Sequence, residues 1–96
     1  MMIKDLVPNK PVDEIELIID EIGDVRTYIT RWGAEGRMRD ATARDGRGDV
    51  VKLSLWNDEV DLVEPGSRVL IKSGYAKMWN GELQVSSGRY GSLTVL

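Results

Sequence analysis

From residue 12 onward, apolar positions recur with a period of two in short runs separated by glycine, proline and asparagine. That period marks strands with one buried face. The first run predicts one long strand over residues 12–30. In it Ile15, Leu17 and Ile19 alternate with Glu14, Glu16 and Ile18, and Val25, Thr27 and Ile29 resume the pattern after Gly23. A glycine inside such a run predicts a bulge or a sharp bend. Arg31 to Gly36 reads as a loop with two glycines, residues 37–44 as a second strand, and Asp45-Gly46-Arg47-Gly48 as a turn. Val50 to Trp56 is a third strand, with Val51, Leu53 and Leu55 on one face and Val50, Lys52, Ser54 and Trp56 on the other. Asn57-Asp58 predicts the cap of a short helix at about 58–63. Glu64-Pro65-Gly66-Ser67 turns the chain. Arg68 to Trp79 is a fourth strand, Glu82 to Ser87 a fifth, and Tyr90 to Leu96 a short extra one. Met1 to Pro11, interrupted by Pro8 and Pro11, reads as an irregular N-terminal arm.

The last two strands can be registered from sequence. Asn80-Gly81 is a strong signal for a two-residue hairpin turn, because that turn needs positive φ at both central residues. Trp79 then opposes Glu82, Met78 opposes Leu83, Lys77 opposes Gln84, Ala76 opposes Val85 and Tyr75 opposes Ser86. Opposed residues share a face. Ala76, Met78, Leu83 and Val85 read as core; Tyr75, Lys77, Trp79, Glu82, Gln84 and Ser86 read as the wet side. Val69 and Ile71 have the parity of Tyr75, so the alternation breaks between them, and Gly74 is the expected place.

Five strands with a short helix between the third and fourth make an all-β chain. The expected architecture is a closed five-stranded OB-fold barrel in a single domain spanning residues 1–96. In that fold the second and third strands, with two flanking loops, form a surface for oligonucleotides.

Composition narrows the chemistry. The 96 residues include neither cysteine nor histidine. Thiolate and imidazole metal sites and disulfides are therefore excluded. The chain has no phosphate-binding GK[ST] loop, no GxSxG and no HExxH. Its carboxylates Asp13, Glu14, Glu16, Asp20, Glu21 and Asp24 form a solvated acidic face, not an acid–base pair. Neither an enzyme nor a cofactor is expected. No apolar run approaches the roughly 18 residues of a membrane span, and the first ten residues lack a signal-peptide core. The expected compartment is the cytoplasm. Net charge is −3. It is uneven: residues 1–24 hold two basic and seven acidic side chains, and residues 25–96 eleven basic and nine acidic. So modest a basic share predicts weak binding to duplex DNA, which leans on phosphate neutralisation.

The aromatic residues carry the functional signal. Trp56, Tyr75 and Trp79 all fall on predicted polar faces, beside Lys52, Lys77 and Gln84. Singly each suits a barrel rim or a protein contact. Together they suit a platform on which nucleobases stack, at ~1–3 kcal/mol per base, while lysine and arginine follow the backbone. Gln84 is a candidate hydrogen-bond donor or acceptor to a base or sugar. Trp32, on a loop beside Arg31 and near Arg37 and Arg39, either closes over a bound strand or folds back onto the barrel end. Arg37, Arg39 and Arg89 are candidate phosphate contacts; Arg44 and Arg47 read as solvated turn charges. Tyr28 reads as a packing residue, and Tyr90 has no assigned role.

Three segments are characteristic in this order and spacing: VKLSLW, EPGSRVLI and GYAKMWNGELQV. With the lead-in IKDLVPNKPVDEIELIIDEIGDVRTY they cover nearly the whole chain. The sequence resembles the simple OB-fold single-stranded DNA-binding proteins of archaea and eukaryotes, and the OB domains of archaeal replication protein A. Zinc-finger and tail segments of some members have no counterpart within these 96 residues. In that family three aromatics stack on bases, one ending the third strand and two on the fourth strand four residues apart. The resemblance places them at Trp56, Tyr75 and Trp79. It implies a monomeric, non-enzymatic binder of single-stranded DNA, with single-stranded RNA or a protein of replication or repair as alternative partners. It does not reach Trp32, where the family has a less aromatic loop.

Overall fold

The computed structural model describes residues 1–88 and 90–96. Seven strands run in chain order: β1 Lys10–Ile22, β2 Arg26–Ile29, β3 Glu35–Arg44, β4 Val50–Trp56, β5 Arg68–Trp79, β6 Glu82–Ser86 and β7 Ser92–Val95. The neighbours are β1-β3-β4-β6-β5-β7, and β1 also pairs with β5. That extra pairing closes β1, β3, β4, β6 and β5 into a ring. Four of its pairings are antiparallel, and β4 lies parallel to β6. This is the five-stranded OB barrel expected from sequence, with β2 and β7 added outside it.

The inside of the ring is apolar. Val12, Ile15, Leu17 and Ile19 of β1 meet Ala41 and Ala43 of β3, Leu53 and Leu55 of β4, Val69, Ile71 and Ala76 of β5, and Val85 of β6. At ~25 cal/mol per Å² of apolar surface removed from water, this cluster is the main force holding the ring.

Four local expectations are corrected. The long first strand is two strands. β1 ends at Ile22, and Gly23 donates to the Asp40 carbonyl at 2.8 Å as the chain leaves the barrel. The bulge lies earlier, at Asp20, where the register against β3 slips between Ile19 and Glu21. β2 pairs with β3 but is not part of the ring. Its alternation therefore buries no core, and Val25 and Ile29 stay exposed.

The break in β5 falls at Ser73, which has φ +54°. Lys72 and Ser73 are both exposed, and so are Asp13 and Glu14 on β1. Val12 pairs with Gly74 and Glu14 with Lys72, so both strands change facing together without losing register. Gly74 serves a different need. A Cβ there would lie 2.5 Å from the Ser86 carbonyl oxygen and 2.6 Å from Ile71 Cγ2, so the close approach of β5 to β6 requires glycine.

The N-terminal arm belongs to the core. A 3-10 turn at Ile3–Asp5 buries Ile3, and Leu6 is buried beside it. Pro11 sits at the second residue of β1, where a missing N–H is tolerated. Asp45, buried in the β3–β4 turn, accepts from the Ile3 N–H at 2.8 Å and from the Arg47 and Asp49 N–H groups at 2.9 and 3.2 Å. The Ile3 N–H bond is the main reason its carboxyl lies below the usual carboxylate range.

The expected helix is a 3-10 turn at Asn57–Asp61. Asn57 does not cap it; at φ +55° its Oδ1 accepts from the Arg37 N–H. Glu59 caps instead, accepting from the Trp56 N–H at 3.1 Å. Val60 and Val63 close that end of the core.

Candidate nucleic-acid interface

The outer face of the ring follows from the register. Across β5 and β6, Trp79 pairs with Glu82, Lys77 with Gln84 and Tyr75 with Ser86, as the hairpin turn predicts. Lys52 of β4 pairs with Gln84, and Thr42 of β3 with Lys52. Lys52, Gln84 and Lys77 therefore form one row across three strands. Met38 pairs with Trp56 and Arg26 with Met38, which carries the same face onto β2. Tyr28 continues it, paired with Gly36.

The aromatic residues on this face remain accessible: Trp56 is 38% exposed, Tyr75 40% and Trp79 55%. Trp79 and Tyr75 stand four residues apart on one strand, about 13 Å. Trp56 lies two strands across from Tyr75 and about two residues farther from the hairpin turn, about 12 Å by the same spacings. Two of the three aromatic positions thus lie along β5 and the third lies two strands over, at the end of β4, with similar backbone spacings.

Several contacts order parts of this face. The Lys77 ammonium sits 5.4 Å from the Trp79 ring centroid, a cation–π contact. Ser54 donates to Gln84 Oε1 at 3.3 Å. That leaves the Gln84 amide nitrogen without a protein acceptor among the described residues. Glu59 joins two elements, accepting from the Trp56 N–H and, at 2.6 Å, from the Ser87 hydroxyl. It fixes the end of β4 against the end of β6.

Tyr28 is an addition that the strand pattern alone did not supply. It packs as expected, over Gly36, where any Cβ would collide with its ring. Its edge also meets Trp56, with centroids 5.7 Å apart and planes at 78°. A glycine opposite an aromatic in a hairpin was the available signal. The Tyr28–Trp56 pair prolongs the row of rings toward the β2–β3 hairpin.

The charged candidates divide. Lys52 and Lys77 lie on the aromatic face and have no acidic partner within salt-bridge distance among the described residues. Arg37 and Arg39 lie on the opposite parity of β3, that of Ala41 and Ala43. Past the end of the core they hold the structure together. Arg37 pairs with Asp61 at 2.7 Å, and that bond raises its pKa further. Arg39 donates to the Gly23 carbonyl at 2.7 Å and the Val60 carbonyl at 3.1 Å. The structure does not bring either to the aromatic row. Arg26 and Arg44, on the aromatic face, pair with Asp40 at 2.8 Å and Asp20 at 2.7 Å. Arg89 lies outside the described residues.

Trp32 tops the β2–β3 hairpin and is 83% exposed, so it does not fold back onto the barrel end. Arg31 stacks on it, 5.8 Å from the ring centroid. The loop is closed by Thr30, whose N–H donates to the Ala34 carbonyl and whose Oγ1 accepts from the Ala34 N–H.

No protein-family model matches the chain. Solved structures do. The second OB-fold domain of replication protein A from Methanococcus maripaludis superposes with a TM-score of 0.80 at 22% identity, covering all of this chain and 93% of that one. An OB domain from Thermoplasma acidophilum gives 0.80 at 17%, covering 100% and 85%. A chain of a replication protein A heterotrimer bound to single-stranded DNA gives 0.75 at 17%; all of this chain matches 24% of that chain. The fold is an OB-fold. Among the described residues no helix is long and apolar enough to cross a membrane.

Proposed function

We propose that this domain binds single-stranded DNA with little sequence preference, by stacking bases on Trp56, Tyr75 and Trp79. The observation that carries the reading is that Trp56 of β4 and Tyr75 and Trp79 of β5 lie exposed on one face of the barrel, beside Lys52, Lys77 and Gln84. Stacking accepts any base, because every base has a π-face. Lys52 and Lys77 neutralise phosphates beside the rings, and Gln84 hydrogen-bonds a base or sugar. The likeness to domains of replication protein A, one of them in a heterotrimer bound to single-stranded DNA, supports the same reading. The role that follows is protection of strands exposed in replication, recombination or repair, with no catalytic step.

Titration of tryptophan fluorescence with a dT oligomer at two salt concentrations tests it. Quenching, with affinity falling as salt rises, is the expected result. No quenching and no mobility shift at low salt would remove the reading and leave the aromatic face to a protein partner. Competition between dT and rU oligomers of equal length then separates DNA from RNA, since only a contact to the 2′-hydroxyl distinguishes them.

A further inference from the structure

Tyr90 is 87% exposed. Next to it, the Gly91 N–H donates to the Ser87 carbonyl at 3.0 Å. Gly91 is pressed onto the kink of β5: a Cβ there would collide with the carbonyl oxygens of Lys72, Ser73 and Ser87.

Between Tyr90 and Tyr75 lies a cleft of about 590 Å³, lined also by Pro11, Ser73, Gly74, Ser86 and Gly88. None of these side chains is charged. The two tyrosines argue for a flat, apolar group. A Cβ added at Gly88, φ +66°, would lie 3.5 Å from Tyr75 Cβ; as glycine, the residue leaves that part of the floor without a side chain to obstruct a ring. Ser86 Oγ accepts from the Gly88 N–H at 3.2 Å, which leaves its own hydroxyl proton for a ligand acceptor. The cleft shares Tyr75 with the aromatic face. It opens at the end of β5 and β6 away from the Asn80-Gly81 turn.

We infer that this cleft is an additional base subsite, in which one more nucleobase of the same strand inserts between Tyr75 and Tyr90. The inference rests on the stacking reading above. It makes the footprint one nucleotide longer than Trp56, Tyr75 and Trp79 define.

A length series of dT oligomers, measured by anisotropy with wild type, Tyr90→Ala and Tyr90→Phe, tests it. Tyr90→Ala is expected to bind short oligomers as wild type does. It should lose roughly tenfold or more in affinity once the oligomer is long enough to reach the cleft, the worth of one stack. Tyr90→Phe, which keeps the ring, should match wild type at every length. In parallel, an oligomer with 5-iodouracil at one terminal position should photocrosslink to Tyr90. Equal affinity of Tyr90→Ala and wild type at all lengths overturns the inference, as does an equal loss at all lengths. In either case, quenching of wild type by dT leaves the wider reading standing. Wild type that binds no oligomer removes both.

Discussion

Two hairpins bracket the aromatic face, and each carries an exposed tryptophan. The β5–β6 hairpin carries Trp79 at the end of a continuous ladder inside the ring. The β2–β3 hairpin carries Trp32 on a loop outside it. The first hairpin is fixed by strand pairing and by a core that includes Ala76 and Val85. The second is fastened mainly by arginines: Arg26 to Asp40, Arg37 to Asp61, and Arg39 to two backbone carbonyls. Exposure alone therefore says little about binding. A ring that is already ordered loses less conformational freedom when a base lands on it.

The contrast breaks most sharply at the glycines that let each hairpin form. Gly74→Ala forces a Cβ against the Ser86 carbonyl and Ile71, both fixed by the barrel. Overpacking of this kind costs ~1–3 kcal/mol. The thermal midpoint should drop by roughly 5–20 °C for a domain of this size. Gly36→Ala meets first the Tyr28 ring, a half-exposed side chain that can swing away. Its melt should move far less, with the loss showing instead at the Tyr28–Trp56 edge contact. Equal shifts in the two melts would mean that the β2–β3 hairpin is as firmly rooted as the β5–β6 hairpin.

Next in size is the difference between the tryptophans themselves. Trp79→Ala should weaken dT binding by ~1–3 kcal/mol with an unchanged circular-dichroism melt. Trp56→Ala should do the same. Trp32→Ala should cost less than either, because Trp32 lies on a hairpin loop outside the ring of strands that carries Trp56, Tyr75 and Trp79. A larger loss at Trp32 than at Trp79 would reverse the ranking and make the loop the principal contact.

How far this was readable beforehand depended on whether each feature is local. The β5–β6 register needed only Asn80-Gly81 and a period of two, and every pair from Tyr75–Ser86 to Trp79–Glu82 stands as expected. The boundaries of β4 and β5 needed only flanking turns. What failed was set by distant partners. Val25 and Ile29 alternate like core residues, but no sheet packs on them. Ile3 and Leu6 look like an idle arm until Asp45, far along the chain, captures the Ile3 N–H. Arg37 and Arg39 sit near Trp32 in sequence, yet their parity on β3 turns them to the other side. Tyr28 joins the row only through Gly36 across a hairpin.

Salt sharpens the comparison further. Lys52 and Lys77 are the cations on the aromatic face without a carboxylate partner among the described residues. Neutralising about two phosphates of a single strand gives a slope of log K against log salt of roughly −1.4. Lys52→Ala should reduce it by about 0.7. A slope several times steeper would show that DNA pulls Arg26 and Arg44 away from Asp40 and Asp20.

The smallest effect expected is one of acid on the outer hairpin. The Asp61 carboxyl lies below its ordinary value of 3.8, chiefly because Arg37 donates a hydrogen bond to it. A depressed carboxylate stabilises the folded form at pH above its ordinary value, and that contribution fades as pH falls through the lower, folded value. The tie is thus complete from neutrality down to about pH 4 and is lost in stronger acid. Both groups are substantially exposed, so water and salt screen the pair and the effect stays modest. Hydrogen-exchange protection should resolve it, once corrected for the intrinsic rate at each pH. Amides of Arg26 to Ile29 should lose protection relative to those of Tyr75 to Trp79 as pH drops below 4. In Asp61→Asn that relative loss should already be present at neutral pH and should change little with acid. A parallel loss in both hairpins would mean that acid acts on the whole barrel, as release of Ile3 from Asp45 would, and that the outer hairpin depends on Arg37 less than its geometry indicates.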